Sequence, residues 1–245
     1  MRILKFTLAM FCLVALNAMA APGYTVTSFK VDAMKGEAVV AALDEWMASD
    51  AGKKYKGRLL LQAHTQDGLN PATHSIVGIY SSMTEAEAFG NHVVGNEEAL
   101  AAWMTMISKI SPITEQTFTG RYARLAGWGD MSDKDRIWIQ HSLTTQDAAS
   151  TYRAFDAWMT SKAGQKFPGQ LHLLQTIAAG LGGGSHVVNI GFESLAEMEK
   201  WNEMTAASAE LTQLLHTFSV VNEYHGANLA TDVKAWGKSL KSVIK

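Results

Sequence analysis

The chain has 245 residues, 47% of them hydrophobic and 18% charged, with a formal net charge of −2 and one cysteine, Cys12. A charge so close to balance, with no basic run, argues against a nucleic-acid partner, whose phosphates call for clustered Lys and Arg. One cysteine excludes an internal disulfide and any site built from several thiolates, such as an iron–sulfur cluster.

The opening segment, MRILKFTLAMFCLVALNAMA, carries Arg2 and Lys5 ahead of an apolar run from Phe6 to Leu16 and a small-x-small end at Ala18-Met19-Ala20. This is the pattern of a secretory signal peptide over residues 1–20, too short for a spanning helix. No later stretch approaches the roughly 18 consecutive apolar residues of a membrane span. The sequence therefore predicts a secreted protein without an integral membrane span. The short leader and the cysteine-free remainder suggest a bacterial periplasm.

After the leader, TVTSFKV (Thr25 to Val31) reads as a strand, and Val39, Leu43, Trp46 and Met47 fall at helical spacing up to a stop at Gly52. RLLLQAHT and HSIVGIYS read as two further strands. Ser82 with Glu85 three residues later marks the start of a second helix through a capping box. A last strand is expected at TFTGRYARL, followed by a polar linker from Trp128 to Arg136. The same order then returns: strand RIWIQHSL, a helix carrying Tyr152, Phe155, Trp158 and Met159, a stop at Gly164, strands QLHLLQTI and HVVNIGFE, a helix after Ser194 with Glu197, and a strand at SVVNEYHGA. The C-terminal DVKAWGKSLKSVIK reads as a short amphipathic helix on the surface.

The two runs superpose residue by residue. LDEWMASDAGKKYKGRLLL lies over FDAWMTSKAGQKFPGQLHL at a constant offset of 112, which sets Trp46 on Trp158 and also pairs His74 with His186 and Glu85 with Glu197. The chain is a tandem duplication, with repeats expected over residues 21–130 and 131–245. The glycine-rich AAGLGGGSH is thereby matched to DGLNPATH. A phosphate-cradling loop would need a Lys-Ser/Thr pair opening a helix, whereas here both segments join strands, so hairpin turns are expected. The order βαββαβ, twice, gives an α+β fold of two ferredoxin-like units that pack sheet to sheet as an intramolecular α/β barrel.

Along each strand, alternate residues would line that barrel. Leu60, Gln62 and His64 fall on one face of RLLLQAHT; His172, Leu174 and Thr176 fall on one face of QLHLLQTI; Asn189 points opposite to His186 and Val188. Polar side chains that interrupt apolar strands need partners when buried, which makes His64, His74, His141, His172, His186 and Asn189 the candidate ligand-binding residues. His74 and His186 are the only histidines kept in both copies, and a structural role at a strand end explains that as well as a functional one does. No His or carboxylate cluster with metal-ligand spacing occurs, so no metal site is expected and the catalytic residues stay open.

The hairpin, the His-led strand and the Ser-x-x-Glu-x-x-x-Phe/Trp helix (HSIVGIYSSMTEAEAF, HVVNIGFESLAEMEKW) resemble the dimeric α/β-barrel superfamily. That group holds antibiotic-biosynthesis-type monooxygenases, haem-degrading monooxygenases and the two-repeat chlorite dismutases and dye-decolourising peroxidases. The resemblance implies a small hydrophobic or aromatic ligand, a monomer or homodimer, and haem as a cofactor of some members. Asn189, Trp138 and His186 supply the residue types of the haem-degrading site without its spacing. His216 and His225 stand where the peroxidase branch carries its proximal histidine, but the Gly-x-x-Asp-Gly signature is missing. The absent signatures favour a non-catalytic small-molecule-binding or interaction protein. The alternatives are a cofactor-independent monooxygenase-like enzyme with His64, His172 or His186 as base, and a haem-binding variant.

Overall fold

The computed structural model describes residues 21–67, 71–179 and 184–244, so the expected leader and the centres of both hairpin loops lie outside the described residues. The first repeat consists of β1 (Gly23–Val31), α1 (Gly36–Ala48), β2 (Arg58–Asp67), β3 (His74–Tyr80), α2 (Met83–Gly95), α3 (Glu97–Ile110) and β4 (Thr114–Gly129). The second consists of β5 (Ile137–Thr145), α4 (Ala148–Met159), β6 (Gln170–Ala179), β7 (His186–Phe192), α5 (Leu195–Thr205), α6 (Ala209–Val221) and β8 (Asn222–Gly237), and a single turn, α7 (Leu240–Val243), ends the chain.

The expected second helix of each repeat is in fact two. Ser82 and Ser194 do cap the first of them, accepting from the N–H of Glu85 and Glu197 at 3.1 and 3.2 Å, while those glutamates reach back to the N–H of Ser81 and Glu193. A second cap then restarts the helix. Asn96 Oδ1 accepts from Ala99 N–H at 2.8 Å and Ser208 Oγ from Leu211 N–H at 3.2 Å, each holding one of the backbone donors a helix start leaves free.

The eight strands close into one antiparallel barrel in the order β1-β3-β2-β8-β5-β7-β6-β4. Within it each repeat keeps a ferredoxin-like order, β4-β1-β3-β2 and β8-β5-β7-β6. The closure is made by exchange: β2 of the first repeat pairs with β8 of the second, and β4 of the first with β6 of the second. The outer faces of the strands bury two helix-covered cores, one around Leu43, Trp46, Leu59 and Leu61 and the other around Phe155, Trp158, Leu171, Leu173 and Trp201. The inner faces bring together Tyr24, Leu60, Val77, Ile79, Tyr122 and Leu174.

The C-terminal segment departs from expectation. Asp232 to Gly237 is the second half of β8, paired with Gln62 to Arg58 of β2, and only Leu240–Val243 is helical. Pairing along β2 overrides the helical look of its apolar spacing. Leu240, Val243 and Ile244 are buried against Tyr24, Leu60, Val77 and Ile79, so α7 plugs one end of the barrel instead of lying on its surface.

The exchanged strands are clasped reciprocally. Trp236 Nε1 of β8 donates to Asp44 Oδ1 of α1 at 2.7 Å, and Trp128 Nε1 of β4 donates to Asp156 Oδ1 of α4 at 3.1 Å. Asp44 and Asp156 are a duplicated pair, so each repeat's last strand is tied to the other repeat's first helix. Both exchanged strands end on a glycine with positive φ, Gly129 (86°) and Gly237 (83°), and a Cβ there would lie 2.1 Å from Gly169 O and 2.4 Å from Gly57 O. The next residues donate to those same carbonyls, Asp130 N–H at 3.1 Å and Lys238 N–H at 3.0 Å.

Gly237→Ala should therefore lower stability by about 1–3 kcal/mol, a fall in melting temperature of at least a few degrees. Gly90→Ala, within α2 and with nothing near its would-be Cβ, should leave the melting temperature unchanged or raise it slightly. Thermal unfolding followed by circular dichroism separates the two.

Candidate functional site: the barrel interior

The barrel encloses a cavity of about 530 Å³ to which both repeats contribute. Its apolar wall comprises Tyr24, Val26, Val77, Phe118, Tyr122, Leu174 and Val187; its polar wall includes Ser28, His64, Gln140, Ser142, Asn189, His225 and Asn228. Pro71 and Gly184, which flank the two hairpin loops, also line it. These two flanking residues place the rim of the cavity at the opposite end from α7. The volume falls within the range of ordinary small-molecule sites.

The closed end carries a buried network centred on His172, which is 1% exposed. Arg124 Nε donates to His172 Nδ1 at 3.1 Å, and Tyr24 Oη lies 3.3 Å from the same nitrogen. A guanidinium can only donate, so Nδ1 is the acceptor and the ring proton sits on Nε2, which donates to Gln170 Oε1 at 2.8 Å. Gln170 Nε2 in turn donates to Ser132 O at 3.0 Å. Burial, with the Arg124 charge adding to it, holds the imidazole down at about 3. His172 is a neutral strut with both nitrogens in use, and it stands behind the cavity wall.

At the open side, His64 Nε2 is 2.8 Å from Ser75 Oγ, which is 2.7 Å from Ser28 Oγ, a hydroxyl of the cavity wall. His225 Nε2 is held 2.7 Å from Thr144 Oγ1. Across the floor, Asn228 Nδ2 donates to Gln140 Oε1, Gln140 Nε2 to Gln62 Oε1, and Gln62 Nε2 to Asp232 Oδ1 at 2.9 Å. Burial pushes the Asp232 carboxyl up to about 6, against the pull of the Gln62 amide and of Arg58 and Arg136.

Of the six candidate residues, His64 and Asn189 line the cavity and His172 lies just behind it. His74, His141 and His186 face away, toward the helices. Thr73 Oγ1 accepts from Val31 N–H at 2.9 Å and meets His74 Nδ1 at 2.9 Å; Ser185 Oγ accepts from Thr145 N–H at 3.0 Å and meets His186 Nδ1 at 2.8 Å. The duplicated histidines thus serve one strand-end clamp, twice. His141 meets Tyr224 Oη at 3.3 Å. Sequence reasoning passed over Tyr24, Arg124, Gln170, Asn228 and Asp232. Arg124 lay unremarked in an expected strand, and Asp232 lay in a stretch read as a helix.

A haem, which the resemblance admits, is commonly held by an imidazole nitrogen as axial ligand. His216 is exposed on α6, whereas His225 lines the cavity, with its Nε2 2.7 Å from Thr144 Oγ1. No group of three His, Cys, Asp or Glu among the described residues could hold a metal ion, and no helix among them is long and apolar enough to cross a membrane.

No family model and no curated protein matches the chain. Solved structures do. A proposed monooxygenase from Lactobacillus acidophilus NCFM is similar with a TM-score of 0.61 at 7% identity, covering 89% of this chain and 96% of its own. An anthrone oxidase-like protein scores 0.55 at 11% identity, covering 91% and 95%. A chlorite dismutase from Candidatus Nitrospira defluvii in complex with imidazole scores 0.51 at 11% identity, covering 91% and 93%. At such identities the likeness shows a shared fold, the ferredoxin-like α/β barrel of monooxygenase-type and chlorite-dismutase-type proteins.

The His172 geometry has a pH signature. The unfolded chain takes up a proton near the ordinary 6.5, which folded His172 refuses until about 3. This group therefore removes stability progressively as pH falls below about 6.5. Asp232 acts in the opposite sense: its share of stability is complete below 3.8 and is lost as pH rises through about 6. The His172 ring resonances should stay flat between pH 8 and 5, and His172→Gln should lose less stability than the parent between pH 6.5 and 4. A His172 titration midpoint near 6.5 would refute the assignment.

Proposed function

We propose that the chain binds a small aromatic or hydrophobic molecule inside the barrel and oxidises it in the manner of cofactor-independent monooxygenases. The observation that carries the binding half is the 530 Å³ cavity with a mostly apolar wall and a few convergent polar groups. The oxidative half is supported by the monooxygenase-type and anthrone oxidase-like folds it resembles, and by His64. Through Ser75 this histidine reaches Ser28 Oγ on the cavity wall, a chain of hydroxyls that can pass a substrate proton to the imidazole. The resulting carbanion gives its electrons to dioxygen. For an activated methylene the balance is R2CH2 + O2 → R2C=O + H2O, one oxygen atom forming the carbonyl and the other leaving as water.

A second reading, a binding protein without turnover, rests on a specific observation. The imidazole Nε2 atoms of His64 and His225 are already hydrogen-bonded, and His172 is locked neutral. Both readings share the cavity, so one pair of measurements covers them. Full-length protein should bind 1-naphthol, followed by ligand fluorescence, and Val187→Trp, which fills the cavity, should weaken that binding at least tenfold while the melting temperature holds. Oxygen uptake with an anthrone substrate, reduced about 10²-fold or more in His64→Ala, supports the enzyme; binding with no uptake leaves the binding protein.

A further inference from the structure

The polar side chains of the cavity form an ordered row. Gln140 of β5 is in register with Asn189 of β7 on one side and with Asn228 of β8 on the other. Three carboxamides thus lie abreast across adjacent strands, and all three line the cavity. From Asn228 the hydrogen bonds run through Gln140 at 3.2 Å and Gln62 at 3.3 Å to Asp232 at 2.9 Å.

Each amide link taken alone could run either way, because a carboxamide can be turned over. The carboxylate at the end decides the direction. An ionised Asp232 can only accept, so Gln62 must offer it the NH2 group and turn its oxygen to Gln140. Gln140 must then turn its oxygen to Asn228, and Asn228 is left with its oxygen unspent. The geometry bears this out: Asn228 Oδ1 is buried and has no partner, and so is Asn189 Oδ1 at the other end of the row. Buried acceptors without donors are costly; these two belong to residues that line the cavity, and an occupant that draws either carboxamide oxygen round would supply the missing donor. Tyr24, Phe118 and Tyr122 on the apolar wall suit an aromatic ring.

We infer that the cavity selects aromatic molecules carrying a hydroxyl donor, seated on the Asn189–Gln140–Asn228 row, and that Asp232 is the positioning residue that holds the Gln140–Asn228 part of the row in its accepting sense. This rests on the cavity being the binding site and names the class of molecule it takes. Asp232 itself faces the Gln62 amide and Trp138, with the Arg58 and Arg136 guanidiniums nearby; Arg58 is paired with Asp133 at 3.1 Å. Protonation of Asp232 would let it donate, and the whole chain could then reverse, turning the Asn228 NH2 group toward the cavity.

The test compares 1-naphthol with 1-methoxynaphthalene, the same rings with and without the donor, on the full-length protein. The parent should bind the naphthol at least about tenfold more tightly. Asn228→Leu and Asn189→Leu, two independent variants in case one fails to fold, should each cut that preference to about threefold or less without weakening the ether. Asp232→Asn should give an intermediate preference that no longer varies with pH, whereas the parent's preference should decline as pH falls through about 6. Equal binding of both probes by the parent, or a preference that survives in both leucine variants, overturns the inference and leaves the cavity as a binding site. Failure of both probes to bind overturns the inference together with the site beneath it.

Discussion

Two strand pairings, β2 with β8 and β4 with β6, hold this molecule together as one body. A ferredoxin-like sheet standing alone would leave β2 and β4 as open edges, rows of unpaired N–H and C=O groups that invite association. Here the edges of one repeat are matched in kind by the edges of the other, and the exchange removes all four. The rest follows from that closure. The strands must overrun their own repeat, which is why β4 and β8 are 16 residues long. Their ends must turn sharply over the neighbouring hairpin, which is why Gly129 and Gly237 adopt positive φ. Their tryptophans land on the partner repeat's helix, which is why Asp44 and Asp156 recur in the duplication.

Closure also creates an interior that belongs to neither repeat. An eight-stranded barrel is just wide enough to fill with side chains or to hold one small molecule. In this one the α7 end is packed with Leu240, Val243 and Ile244, and the remainder is a cavity. The polar groups inside are ordered by two residues whose hydrogen-bonding sense cannot be reversed. Arg124, which can only donate, sets the tautomer of His172 and so the direction of Gln170. Asp232, which when ionised can only accept, sets the direction of Gln62, Gln140 and Asn228. One network ends inside the wall with its histidine satisfied on both nitrogens; the other leaves an acceptor among the cavity residues. The difference explains why the first reads as structure and the second as recognition.

Much of this was visible in the amino-acid sequence, for reasons that can be named. The constant offset from Trp46 to Trp158 exposed the duplication, and the Ser82/Glu85 and Ser194/Glu197 boxes marked helix starts through local hydrogen bonds alone. Strand alternation set Asn189 on the face opposite to His186, and the structure puts Asn189 on the cavity wall. What escaped depends on long-range pairing. Asp232 to Gly237 looks helical until β2 claims it, and the bulges in β4 and β8 shift which side chains turn inward along strands whose alternation would otherwise tell. Asn96 and Ser208 were legible helix caps that the apolar pattern on either side concealed. Arg124 and Asp232 could not be placed by sequence, since a lone charge on a strand is usually solvated.

The central claim is that the shared interior of the closed barrel is a binding site for one small molecule. The most direct measurement is the mass of the full-length protein with an equimolar hydroxyaromatic ligand, recorded under native conditions and again after denaturation. The account predicts a one-to-one complex under native conditions that vanishes on denaturation and does not form when Val187→Trp fills the cavity. A complex that forms equally well with the filled variant, or none at any ligand concentration, would contradict it.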